Sequence, residues 1–387
     1  MFKYLGTQST QFLKKVSVAV VLTILPYSTS TTAQENSYRN LCHRKNVIKS
    51  TDKRITKWVL PNGVQTYRFK KPLPSAVTEW EKSAISHSLM RLNLISLPGT
   101  VCDFGSKKVY QPIFDALNLG LNPSIKNYIE SVERVGWTTM GRDALRFHTS
   151  HNFEIKLFPP IRLDLAFPKK YETSEVHPTA TLLKVPNRLS KEILLDESIP
   201  ENDREDTFFW VKVKKSSLPI FITEGVKKAA SILSSGRVAI GPPGTCRSIF
   251  RSDSTDVNHR FEVSTEIKQF IDKSNKRLFY IVFDRDHDPV LHEFVKSNAK
   301  VLAQMLTELN MDVKIIDLPE DTKGVDDYIY KYGQNAFNHT LVKDAKNYID
   351  WLELNSNLLS ADQIAKNEWC FNPCQGSCAL KTKLEEK

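Results

Sequence analysis

The chain has 387 residues, of which 41% are hydrophobic and 25% charged, with a formal net charge of +10. This is the composition of an ordinary globular protein with enough apolar material for a core, and the length predicts two or three domains. Six cysteines in such a chain are too sparse for a disulfide scaffold. The basic balance favours polyanionic partners, nucleic acid among them.

At the N-terminus, Lys3, Lys14 and Lys15 precede the apolar run Val16 to Leu25, and small polar residues follow up to Ala33. That order predicts a signal or targeting segment over residues 1–34, with cleavage near Ala33, and the run is too short for a stable membrane span. No acidic residue precedes Glu35, which also suits a transit peptide into a DNA-containing organelle. The expected location is the cytoplasm or such an organelle. Residues 35–131 read as a mixed region with helical stretches at Ala76 to Leu94 and Pro112 to Leu119, and no role is assigned to them.

Residues 132–206 are aromatic and proline-rich. Pro159, Pro160, Pro168 and Pro178 exclude long helices there, and Thr179 to Pro186 reads as a short strand. The basic residues Arg142, Arg146, Lys156, Arg162, Lys169 and Lys170 and the aromatics Trp137, Phe147 and Phe167 fit either a nucleic-acid groove or a core with a solvated face. The acidic run Asp196 to Asp206 reads as a linker.

From residue 207 to 355 the pattern becomes regular. Strands are expected at Leu218 to Thr223, Arg237 to Ile240, Leu278 to Phe283 and Val313 to Ile316. Helices are expected at Val226 to Leu233, Val263 to Ile271, Val290 to Leu309, Val325 to Tyr332 and Leu341 to Leu354. Near-continuous apolar strands alternating with helices imply an α/β unit, a parallel sheet flanked by helices, with ligands beyond the carboxyl ends of the strands. Residues 356–387 read as an irregular tail. Cys370, Cys374 and Cys378 lack a clear fourth metal ligand there, so free thiols are expected.

The strand ends carry the chemistry. Glu224 follows the first strand, Asp284 and Asp286 the third, with Asp288 just beyond, and Lys323, Asp326 and Asp327 lie after the fourth. Carboxylates converging on one point repel unless a cation sits among them. Mg²⁺, a hard ion held by few carboxylates plus waters and substrate phosphates, is the natural occupant. Solvated acidic loops are the alternative. Gly241 to Ser248 imitates a phosphate-binding loop, but Cys246-Arg247 stands where Gly-Lys is required, so nucleotide binding of that kind is not expected.

Ile222-Thr-Glu-Gly225 with Lys227-Lys228-Ala229, and Phe283-Asp-Arg-Asp286, resemble the two signature motifs of the TOPRIM domain. With Lys170 to Thr173, Val238 to Gly244 and Lys323 to Ile329, the chain resembles the TOPRIM-like domain of cyanobacterial plasmid replication proteins over about Val132 to Leu354. The resemblance implies a TOPRIM-like (Rossmann-like) sheet, with Glu224 as acid/base residue and Asp284 and Asp286 as ligands of one or two Mg²⁺ ions. Lys228 stands where many TOPRIM proteins have Asp and is counted with the catalytic residues. Asp288, Lys323, Asp326 and Asp327 are secondary, and Lys227 and Arg247 are candidate nucleic-acid contacts.

The expected function is plasmid-type DNA replication by Mg²⁺-dependent nucleotidyl or phosphoryl transfer, primase-like, on DNA rather than RNA. The helicase-like region usual in the larger relatives does not follow Leu354, so either a shortened relative or a separate helicase partner is expected. The alternatives are a TOPRIM-type nuclease and a non-catalytic module for DNA binding or partner docking.

Overall fold

The structure is a computed structural model that describes residues 47–60, 63–110, 112–117, 135–139, 141–142, 149–150, 154–161, 169–173, 180–244, 249–251, 261–272 and 274–358. The N-terminal segment, Arg247 and Cys370, Cys374 and Cys378 lie outside these residues. Among the described residues no helix is long and apolar enough to cross a membrane.

Runs of apolar residues with almost no polar interruption build three strands of the central sheet. Its strands are β1 (Ile220–Thr223), β2 (Val238–Ile240), β3 (Leu278–Val282), β4 (Asp312–Ile315) and β5 (Lys346–Asn347), in the order β2-β1-β3-β4-β5. The first four are parallel, paired Ile220 to Val238 and to Phe279, and Leu278 to Asp312; β5 runs antiparallel along β4. Every residue of β1 and β2 is buried, as a sheet covered on both faces requires. This is the expected α/β class.

The helices are α1 (Val226–Ser234), α2 (Pro289–Glu308), α3 (Val325–Ala336) and α4 (Tyr348–Glu353). Val226, Ala229, Ala230 and Leu233 form the buried stripe of α1 at helical spacing. Asp288 caps α2 by accepting from the backbone N–H groups of Val290 (2.9 Å) and Leu291 (3.4 Å), and Pro289 follows at the first helical position. One sheet face carries Phe221, stacked on Tyr280 at 4.5 Å and packed by Phe337. On the other face Val295 and Ala299 of α2 lie with Ile281 and Ile315 around a small cavity.

A second, antiparallel sheet precedes this unit. It orders Lys169–Thr173, Glu154–Ile161, Val135–Thr139 and Leu94–Leu97, so it joins residues on both sides of position 131. Its longest strand passes through Pro159 and Pro160 where the register with Lys169–Thr173 shifts, the place where a sheet tolerates missing N–H donors. Trp137 is fully buried, edge-on to Trp80 at 5.5 Å, and belongs to the core. One apolar cluster runs from Ala76 through Trp137 to Trp351, so the two sheets share a core. Cys102 is disulfide-bonded, and the other five cysteines all lie outside the described residues.

Several expected elements take a different form. The stretch 76–94 holds two helices, Pro74–Glu81 and His87–Asn93, broken where Ala84 turns to φ 54°, and Leu94 already begins a strand. The expected helix at 263–271 is a strand, Phe261–Val263, followed by a short helix, Thr265–Lys268, because Val263 pairs with Ile249. Within 341–354 the backbone first lays β5 against β4, and only then forms α4. In place of the expected strand, Thr181 and Pro186 make isolated bridges to Gly241 and Glu205. At Val263 and at Lys346–Asn347 tertiary pairing overrides a local pattern.

Arg277, just before β3, is buried and ties the sheet to the helix Phe209–Lys215. Its guanidinium donates to the carbonyls of Leu218 (3.0 Å), Val213 (3.0 Å), Lys214 (3.1 Å) and Ser216. Arg277→Ala leaves these carbonyls without their donor and is expected to cost about 3 kcal/mol of unfolding free energy, read by urea denaturation.

Candidate active site

The carboxyl ends of β1 and β3 and the amino ends of α1 and α3 meet at one point. Gly225, at φ +81°, turns the chain from β1 into α1 and sets Lys228 in the first turn of that helix. β3 ends at Val282 and delivers Asp284 two residues on. The loop after β4 leads to Gly324, the N-cap of α3, with Asp326 in its first turn.

Lys228 lies at the centre. Its Nζ is 3.1 Å from Asp284 Oδ2, and only 18% of the lysine side chain and 12% of the aspartate side chain are exposed. Burial alone would lower the Lys228 pKa, but Asp284, Asp326 and Glu224 around it together hold it well above its usual value. Burial pushes the Asp284 carboxyl up to about 7, against the pull of Lys228. Asp284 Oδ1 is buried and has no hydrogen-bond partner among the described residues. Burial also works against the Asp326 carboxylate, but Lys228, Lys227 and the Ser83 hydroxyl overcome it and keep its pKa below the usual value.

Asp326 leads out of the sheet unit. Its Oδ2 accepts from the Ser83 hydroxyl at 2.8 Å and lies 3.3 Å from Lys227 Nζ. Lys227 also faces Glu79 at 3.7 Å, and Glu79 pairs with Lys156 and accepts from Trp137 Nε1 at 3.0 Å. The site is therefore braced by a chain of charges reaching into the antiparallel sheet. Glu79 and Ser83 are members that the sequence does not mark, and Lys156, expected for a nucleic-acid groove or a solvated face, is turned inward to Glu79.

The other expected residues take distinct places. Asp286 lies 3.5 Å from Lys323 Nζ and accepts from the Asp288 N–H at 3.1 Å, and its side chain is 27% exposed. Asp288 is the cap of α2, and Asp327 accepts from the Gly324 N–H at 3.0 Å, so both hold helix ends. Lys227 points inward to Asp326 and Glu79. Glu224 is half-buried and close enough to act on both Lys228 and Asp284.

Among the described residues no three His, Cys, Asp or Glu side chains form a ready-made metal cage. The donors nevertheless suit Mg²⁺, which takes one or two protein carboxylates and leaves its other positions to waters and substrate phosphates. Two features fit such an ion: the unpartnered Asp284 Oδ1, and the bare backbone of Gly324 beside it. A Cβ at Gly324 would stand 2.5 Å from Asp326 Oδ1, 2.7 Å from Lys228 Cε and 3.5 Å from Asp284 Oδ1.

Residues 209–336 match the family model described as a domain of unknown function (DUF3854). An uncharacterized protein of Picosynechococcus sp. (strain ATCC 27264 / PCC 7002 / PR-6) is 32% identical over 159 residues, 40% of this chain. The chain spans about 15% of the length of that relative. Among solved structures, the zinc-binding and RNA polymerase domains of the Aquifex aeolicus primase are similar at TM-score 0.41 and 14% identity. That match covers 74% of this chain and 60% of the other. The DnaG primase catalytic domain bound to ssDNA is similar at TM-score 0.40 and 15% identity, over 77% of this chain and 82% of the other. Likeness at that level says nothing about activity.

Two outcomes are expected from this geometry. Gly324→Ala forces a methyl group into the carboxylate of Asp326 and the stem of Lys228, at a cost of about 2 kcal/mol in denaturation. The Asp284 proton is held more tightly in the folded chain than at its usual 3.8, so this group's contribution to stability is complete below that value and is lost as pH rises through about 7. Unfolding free energies measured from about pH 5 to pH 8 should therefore fall for the native chain relative to Asp284→Asn.

Proposed function

We propose that the chain is a primase-like replication protein whose TOPRIM-like unit carries out Mg²⁺-dependent nucleotidyl or phosphoryl transfer on DNA. The observation that carries this reading is that Glu224 and Asp284, at the ends of neighbouring parallel strands, are near enough for their charges to act on each other, while Asp284 Oδ1 is buried with no hydrogen-bond partner among the described residues. The net charge of +10 agrees with a polyanionic substrate.

Asp284 and Asp286 would hold the ion. When bound, Mg²⁺ would polarise a phosphoryl oxygen and neutralise charge developing on it. Glu224, half-buried at the end of β1, would take the proton from an attacking hydroxyl. Lys323, half-exposed beside Asp286, would face the substrate backbone. Asp326 would act on Lys228 and not on the substrate. Plasmid-type replication, a separate helicase partner and the contact made by Arg247 are further parts of this proposal.

One observation favours a second reading. Asp284 is already neutralised by Lys228, as a non-catalytic platform for DNA or a partner would allow.

The test is a Mg²⁺ titration of the whole chain with single-stranded DNA and nucleotides. Product should depend on the metal and vanish in the double variant Asp284→Ala, Asp286→Ala. Glu224→Gln should lower the rate by about 10²- to 10⁴-fold with little change in DNA binding. Product length separates primer synthesis from cleavage. Salt-sensitive DNA binding without any product would select the platform.

A further inference from the structure

The charges around Asp284 do not balance as an open metal site would. Three carboxylates, those of Glu224, Asp284 and Asp326, act on one buried ammonium. Carboxylates brought together out of water need cations between them, and this chain supplies its own: Lys228 beside Asp284, and Lys227 on the far side of Asp326.

The lysine is held in place from several sides. Its Nζ is 3.1 Å from Asp284 Oδ2, and its Cε lies against the bare backbone of Gly324. Asp326, its second acidic neighbour, is fixed by the Ser83 hydroxyl at 2.8 Å and by Lys227 at 3.3 Å. A side chain gripped along its stem and at its tip is not a mobile contact waiting for a phosphate. Asp284 thus gives one oxygen to Lys228 and keeps the other, Oδ1, without a partner.

We propose that the Lys228 ammonium is a resident cation of this site. It fills the position among Asp284, Asp326 and Glu224 that a second divalent ion would otherwise take. The site then accepts a single divalent ion, at the free oxygen of Asp284. The inference rests on the metal reading proposed above. It makes Lys228 a positioning residue: it sets the number of ions and the orientation of Asp284, and it does not touch the substrate. Arg at this position would keep the charge; a neutral side chain would open the second place.

The probe is Mn²⁺ alone, added to the full chain without nucleotide or DNA, with free ion counted by electron paramagnetic resonance. The native chain, Lys228→Arg and Lys228→Met are compared. The native chain and Lys228→Arg should each bind one ion. Lys228→Met should bind two, or bind its ion about tenfold to a hundredfold more tightly, because a fixed positive charge beside the ligand oxygens has gone. Its unfolding temperature should also rise with Mn²⁺ by more than that of the native chain. A variant that folds only with Mn²⁺ present supports the proposal equally. Two ions on the native chain, or on Lys228→Arg, overturn it and leave the metal reading intact. So does a Lys228→Met variant that binds one ion with unchanged affinity. Binding by Lys228→Met alone upholds the resident cation and removes the metal-dependent reading of the native chain. No binding by any of the three removes both.

Discussion

A buried ammonium cannot be left uncompensated, and much of this molecule is arranged around that requirement. Taking a charge out of water costs several kcal/mol even after relaxation, and only close opposite charges with well-placed hydrogen bonds offset it. Lys228 meets the requirement with Asp284 from the end of β3 and Asp326 from the start of α3, with Glu224 of the β1 turn near enough to contribute. Asp326 in turn needs partners, and finds them in Ser83 and Lys227. Each compensation adds a group that must itself be placed, so the network extends until it reaches Glu79 and Lys156 in the antiparallel sheet.

This explains why the two sheets are bound together by more than a shared apolar core. Apolar contact between Trp80, Trp137 and the neighbouring residues is strong but non-directional. The charges give it a register. A shift of the helix Pro74–Glu81 against α1 and α3 would take the Ser83 hydroxyl from Asp326 and Glu79 from Lys227, a loss added to that of the packing. The parallel sheet positions the reacting carboxylates, and the antiparallel sheet restricts how their counter-charges can lie.

Much of the parallel unit was legible because its strands are short, apolar and buried on both sides, and because helices of steady amphipathic period separate them. The residues after β1 and β3 could be named for the same reason: an open parallel sheet puts its ligand side at the carboxyl ends of its strands. Legibility failed where pairing over distance decides the backbone. Val263 goes to a strand because Ile249 is beside it, and Lys346 leaves its helical run because β4 offers an edge. Ala84 breaks a helical pattern by taking a left-handed conformation that its side chain does not favour. Trp137 fits a stacking platform and a core residue equally well on composition, and burial alone separates the two.

The roles of the acidic residues divide in the same way. Glu224, Asp284, Asp286, Asp288, Asp326 and Asp327 look alike as carboxylates following strands. Local rules distinguish Asp288 and Asp327, since a cap is defined by its distance from a helix start. What the chain determined by itself was therefore the order of elements in the parallel unit and the identity of the groups at its strand ends, because both follow from patterns a few residues long. Only the tertiary structure decided that Lys228 sits buried among three of those carboxylates, and that Glu79, Ser83 and Lys156 stand behind them. Electrostatic partners are chosen by proximity in space, and residues more than a hundred positions apart carry no mark of one another in the sequence.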